Sequence, residues 1–152
     1  MEVLTHSPRE TQKLGEKISA DLKLGDILAL YGELGSGKTT FIQGLARGLG
    51  IKKRVISPTF VFIRQYPVAG HRSPVTFYHV DLYRINEVTE AKGLGLEEIF
   101  ADKTAIVVIE WADRIKEILP KRRIDIYFEY LDENKRRIKF AGLSDLYQRS
   151  FL

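Results

Sequence analysis

Cysteine is absent from the 152 residues, which excludes disulfides, thiol chemistry and cysteine–zinc sites. Histidine is scarce, and none stands at metal-binding spacing from His79. No apolar run approaches the roughly 20 residues needed to span a bilayer. The first residues carry no apolar core of signal-peptide length, so the expected location is the cytoplasm, without membrane contact. Internal repeats, linkers and low-complexity stretches are missing as well. What is left is the length and composition of one globular domain, expected to span residues 1–152. A chain of roughly 150 residues buries about 70% of its extended surface, enough for a real core.

Acid is the charge in deficit. The formal net charge is +4, and basic residues gather at Lys52-Lys53-Arg54, Lys121-Arg122-Arg123 and Lys135-Arg136-Arg137. Such runs are either solvated surface or contacts for an acidic partner or RNA. No RNA-binding module signature accompanies them.

The most informative stretch is Gly32-Glu33-Leu34-Gly35-Ser36-Gly37-Lys38-Thr39, which fits the phosphate-binding pattern G-x-x-x-x-G-K-[ST] without a mismatch. Its context fits too. Asp26-Ile27-Leu28-Ala29-Leu30-Tyr31 reads as a short buried strand, and residues 38–49 read as a helix. Glycines let the backbone curl around a phosphate with its amides pointing inward, and the helix N-terminus adds partial positive charge. In that arrangement Lys38 reaches the β- and γ-phosphates of ATP, and the Thr39 hydroxyl holds Mg²⁺.

Around this motif, strands and helices alternate. Ser7-Pro8-Arg9-Glu10 reads as a helix start with a capping box, followed by Leu14, Ile18 and Leu22 at helical spacing. In the next helix Phe41, Ile42, Leu45, Ala46 and Leu49 share a face, and Gly44 and Gly48 allow close approach to the sheet or a neighbour. Residues 61–66 and 75–81 read as strands joined by a hairpin loop over 67–74. Residues 87–100 read as broken helix. Ala105-Ile106-Val107-Val108-Ile109-Glu110 is an uninterrupted apolar run of the kind found at the buried centre of a parallel sheet. A short helix over 111–119, a hairpin of 124–130 with 137–140, and a last helix near Ser144 complete the chain. The expected fold class is α/β, P-loop NTPase-like, with a mainly parallel central sheet, antiparallel strands at the edges and helices on both faces.

A P-loop needs a further carboxylate for Mg²⁺ at the end of a neighbouring strand. Asp81 and Glu110 both end strands, and in a parallel sheet such ends share the ligand-binding edge. Thr59, in Ser57-Pro58-Thr59-Phe60, is a candidate switch residue whose hydroxyl senses the γ-phosphate or metal. His79 reads as a strand side chain rather than a ligand or base. Trp111 is either core packing or an exposed anchor for a partner or RNA.

Taken in order, the P-loop with Thr40, Ser57-Pro58-Thr59-Phe60, Tyr78-His79-Val80-Asp81-Leu82-Tyr83-Arg84 and Ile109-Glu110-Trp111 make this chain resemble the TsaE (YjeE) family of small bacterial P-loop ATPases. The resemblance runs from the first helix to about Pro120. It implies a role in making threonylcarbamoyladenosine on tRNA, with TsaB and TsaD as partners, TsaD performing the transfer. The ATPase binds or resets that complex, and tRNA is met indirectly, through it. The resemblance implies ATP contacts along Glu33, Leu34, Gly35, Ser36, Gly37, Lys38, Thr39 and Thr40. It gives Lys38, Asp81 and Glu110 the catalytic positions, with Thr39, Asp81 and Glu110 at the metal. Thr59 matches the switch-like element, Thr11 a threonine bordering the nucleotide, and Arg136, or its neighbour Arg137, an arginine that follows the penultimate strand.

Two other functions share the P-loop: a small nucleotide or metabolite kinase, and a nucleotide-gated binding module that hardly hydrolyses. A kinase needs a mobile arginine-rich lid and an acceptor pocket, and little chain remains for either.

Overall fold

The apolar run at residues 105–110 forms a strand, β5 (Ala105–Glu110), in which all six residues are buried. In the computed structural model, which describes residues 1–56 and 62–142, β5 pairs in parallel with β2 (Ile27–Tyr31) on one side and β4 (Val75–Asp81) on the other. Covered on both faces, such strands need no polar side. β6 (Ile124–Tyr130) extends the parallel block next to β2. Antiparallel strands close both ends: β3 (Ile63–Val68) beside β4, and β7 (Arg136–Ala141) then β1 (Glu2–Thr5) beyond β6. The seven-stranded order is β1-β7-β6-β2-β5-β4-β3.

Alternate residues of the central strands face two separate apolar layers. One layer joins Leu28, Leu30, Val108 and Ile126 to α1 (Pro8–Ser19) and α2 (Lys38–Gly48). The other joins Ile27, Ala29, Val107 and Ile109 to α3 (Val88–Lys92), α4 (Leu96–Ala101) and a 3-10 helix at Ala112–Ile118. The expected α/β class with helices on both faces is what the structure has. Among the described residues, no helix is long and apolar enough to cross a membrane.

Three local details differ from expectation. β1 carries no strand signal in its sequence; it exists because β7 offers it an edge, with Val3 opposite Ile138. Pro67 and Val68 belong to β3 rather than to the loop, opposite Thr76 and Val75. The proline is tolerated because β3 is an outer strand, where a missing N–H need break no ladder. At the start of α1, the Ser7 hydroxyl accepts from the Glu10 N–H as expected, but Glu10 returns to the His6 N–H, one residue before the cap. The expected helix near Ser144 lies outside the described residues.

The helix glycines serve α1. A Cβ on Gly44 would overlap the carbonyl oxygen of Gln12, and one on Gly48 the side chain of Ser19. Their absence lets α2 lie against α1, which places the N-terminus of α2 at the end of β2 where the site is built.

Candidate functional site

The loop between β2 and α2 turns through three glycines with positive φ, Gly32 (147°), Gly35 (78°) and Gly37 (102°). Side chains are rarely tolerated there, and at Gly32 a Cβ would stand 2.6 Å from the Phe128 carbonyl oxygen. The loop lands Lys38 at the first position of α2. Its Nζ donates to the carbonyls of Gly32 and Glu33 and, at 3.4 Å, to the Ser36 hydroxyl. It also lies 4.4 Å from the centroid of the Trp111 ring. Burial pushes the Lys38 ammonium below its ordinary value, and the carboxylates of Glu110 and Asp81 oppose that shift.

Those carboxylates arrive from the two neighbouring strands. Asp81 and Glu110 are register partners at the ends of β4 and β5. Odd-numbered residues of β4 and even-numbered residues of β5 point to the α2 side, so His79, Asp81 and Glu110 share that face. Glu110 is buried. Its Oε1 accepts from the Thr39 hydroxyl at 3.1 Å and its Oε2 from His79 Nε2 at 2.7 Å. Asp81 is half-buried and accepts from the Tyr83 N–H at 3.0 Å. Burial, then the charge of Glu110, pushes the Asp81 carboxyl above its ordinary value. Two neighbouring acids, one basic side chain and one hydroxyl thus meet at the C-terminal edge of the parallel strands.

A cavity of about 370 Å³ opens over this meeting point. Of the residues expected at the site, Leu34, Gly35, Ser36, Gly37, Lys38, Thr39, Thr40, Asp81, Glu110 and Arg136 line it. Glu33 does not; it contributes its carbonyl to Lys38 instead. Thr11 is buried beside the loop, lining a small adjoining crevice with Gly37 and Thr40. Its hydroxyl is 2.8 Å from that of Thr5. Thr59 lies outside the described residues.

Arg136, rather than Arg137, reaches the loop. Its guanidinium donates to the carbonyl of Gly35 at 3.1 Å and to those of Asp132 and Lys135, and packs 4.5 Å from the Tyr130 ring. Arg137 instead pairs with Glu2 and Glu129 on the sheet.

Several residues at or behind the cavity were not singled out as functional from sequence. His79 is fully buried against Glu110, with its Nδ1 unpartnered. The available signal was its place two residues before Asp81, on the same face of one strand. Phe62, Tyr83 and Arg84 line the cavity itself. The arginine three residues after Asp81 therefore borders the site, together with Lys38 and Arg136.

Trp111 fits neither reading alone. It is half-buried and adopts φ 60°, the one non-glycine positive φ among the described residues. That conformation costs on the order of 1–2 kcal/mol. It turns the chain sharply out of β5 and lays the indole between Lys38, Tyr83 and Arg114. The ring is thus part of the cavity wall.

Among the described residues, no three His, Cys, Asp or Glu side chains form a metal cage. Mg²⁺ does not require one, since it binds through one or two protein oxygens and completes its shell with phosphate oxygens and water. The Thr39 hydroxyl and the Glu110 and Asp81 carboxylates are hard oxygen donors of that kind.

A family model described as "Threonylcarbamoyl adenosine biosynthesis protein TsaE" matches residues 5–138. The chain is 38% identical over 144 residues to the "tRNA threonylcarbamoyladenosine biosynthesis protein TsaE" of Bacillus subtilis, covering 95% of this chain and 87% of that one. It is 33% identical over 141 residues to the protein of the same name from Treponema pallidum, covering 93% and 100%. Among solved structures, the crystal structure of Bacillus subtilis YdiB superposes with a TM-score of 0.78 at 34% identity, over 99% of this chain and 90% of that one.

Proposed function

Because the chain belongs to the TsaE family, we propose that it is a P-loop ATPase of tRNA threonylcarbamoyladenosine biosynthesis, which binds ATP with Mg²⁺ and so docks on and resets a TsaB–TsaD complex in the cytoplasm. The observation that carries this reading is the convergence of Lys38 and Thr39 on one loop with Asp81 and Glu110 from two adjacent strands.

Lys38 supplies positive charge to the β- and γ-phosphates. Its Nζ already sits among acceptor oxygens in a buried setting, where a charge acts more strongly than in water. Thr39, Glu110 and Asp81 would hold Mg²⁺, which neutralises phosphate charge as the leaving group departs. Glu110 is oriented at both oxygens, by Thr39 and His79, so it cannot swing away from that position. Trp111, Tyr83 and Phe62 give the cavity an aromatic lining.

Turnover by the isolated chain is slow in this proposal. The guanidinium of Arg136 is committed to three backbone carbonyls, which holds the β6–β7 turn against the loop rather than leaving it for the γ-phosphate. An arginine supplied at the γ-phosphate by another surface is worth about 10³ to 10⁵ in rate. Leu34 is 74% exposed and Tyr83 48% exposed at the cavity mouth, where a docked partner would cover them.

The test is phosphate release from labelled ATP, measured for the chain alone and with the TsaB–TsaD pair. Stimulation by the pair supports the proposal. Equal rates, or fast turnover alone, would remove partner dependence. A phosphorylated acceptor in place of free phosphate would make the protein a kinase.

A further inference from the structure

Two of the three basic clusters give up arginines to ion pairs or to the loop, while their Lys121, Arg122 and Lys135 are exposed with no acid within ion-pair distance among the described residues. Arg123 pairs with Asp125, and Arg137 with Glu2 and Glu129. Arg136 is spent on the carbonyls at the P-loop. Among the described residues, Lys52, Lys53 and Arg54 have no acid within ion-pair distance, and all three are exposed. They edge a crevice of about 400 Å³ on the α1–α2 side, separate from the nucleotide cavity.

The crevice is held open by two amides. Gln12 Nε2 donates to Gln43 Oε1 at 3.3 Å, tying α1 to α2. Gln43 Nε2 donates to the Val55 carbonyl at 3.2 Å, tying the basic segment to α2. The cations are thus set on a braced segment rather than a free loop. Arg47, on the last turn of α2, adds a fourth cation, shared with Glu16 at 3.2 Å.

The composition of the crevice decides what fits it. Protein interfaces centre on aromatic or aliphatic anchors, and lysine is depleted there. Among the described lining residues, the apolar Ile51 and Val55 are buried and none is aromatic. Lysine, arginine and glutamine are instead the residues that contact phosphate oxygens of nucleic acid. Without an aromatic to stack a base, such a surface reads backbone and not sequence.

We infer that the crevice edged by Lys52, Lys53 and Arg54 binds the phosphate backbone of RNA directly. The identification of that RNA as tRNA rests on the role proposed above; the charge argument does not. Contact through this face leaves the nucleotide cavity open, so one chain can hold both ligands.

The experiment is fluorescence anisotropy of a labelled, unmodified tRNA transcript titrated with the full chain at salt from about 50 to about 200 mM. The variant K52E/K53E/R54E should weaken binding at least about tenfold. It should also flatten the dependence of log K on log salt by about 2, since each lost phosphate contact removes roughly 0.7–0.9. Affinity for a fluorescent ATP analogue should be unchanged, which shows the variant folded. The control K121E/R122E should bind tRNA nearly as the parent does. Unchanged affinity and slope in the triple variant would overturn the inference, as would an equal loss in the control. So would unchanged tRNA binding with lost binding to TsaB–TsaD, which would make the crevice a protein contact. Lys38→Ala should leave tRNA binding intact, so failure of the ATPase proposal and failure of this one are distinguishable.

Discussion

His79 Nε2 donates to Glu110 Oε2 at 2.7 Å, and both side chains are buried. The other oxygen of Glu110 is held by Thr39, so one carboxylate links the P-loop helix, β5 and β4. A carboxylate fixed at both oxygens needs no reordering when a cation and phosphate arrive. In the proposed function His79 acts through Glu110 as a positioning residue. His79→Leu should lower ATP turnover about 10- to 100-fold, the usual loss when the group orienting a metal ligand is removed. It should weaken Mg²⁺-dependent nucleotide binding more than binding without metal. His79→Gln, which can place an N–H near Nε2, should recover part of the turnover. Steady-state kinetics with a Mg²⁺ titration checks both; equal losses in the two variants would reduce His79 to packing.

Lys38→Ala should weaken ATP binding by roughly 10-fold to 100-fold, the value of one or two hydrogen bonds to a charged group. The carbonyls of Gly32 and Glu33 are near solvent and can be hydrated, so the fold should survive. Titration with a fluorescent ATP analogue, beside a circular-dichroism spectrum, measures both. Undiminished affinity in a folded variant would end the P-loop assignment.

Asp81→Asn should separate activity from stability. Hydrolysis should fall more than ATP affinity, because metal and water positioning matter most in the transition state. Stability should rise, by about 1–4 °C in melting temperature, because burial and Glu110 both disfavour the ionised Asp81. The gain is modest since Asp81 is only half-buried and solvent screens it. The pH dependence has a definite sign. A carboxyl raised on folding penalises the native state once ionised, so the penalty is complete above the raised native value and disappears as pH falls below the ordinary carboxylate range. The melting-temperature gap between variant and parent should therefore close on acidification. A gap that widens would contradict the assignment.

Gly44→Ala sets helix propensity against packing. Alanine favours a helix by up to about 1 kcal/mol over glycine. Its Cβ would overlap backbone of Gln12, which cannot rotate aside, and such overpacking costs about 1–3 kcal/mol. Packing should win, lowering the melting temperature by several degrees. Gly93→Ala, where a Cβ meets nothing within 4 Å, should be close to neutral. Thermal melts of the two variants decide it.

Much of this molecule is legible in its order of residues because the deciding interactions are local. The glycine-rich loop is eight consecutive residues, Gly32 to Thr39, whose pattern is complete within that stretch. β5 declares its central place by being apolar throughout, since only a strand covered on both faces can be. Ser7 and Pro8 announce α1 because a cap bonds within three residues.

What the tertiary structure alone decided involves partners far apart in the chain. β1 is a strand only because β7 is beside it, and its own four residues carry no periodic signal. Pro67 lies in β3 because that strand ended up at an edge, a position no local pattern states. Arg136 was chosen over Arg137 by the pleat of β7, which sends neighbours to opposite faces, one to Gly35 and the other to Glu2 and Glu129. The role of His79 came the same way. Alone it is a histidine in a strand, and it holds the Glu110 carboxylate only because β4 and β5 pair in the register that sets Asp81 opposite Glu110.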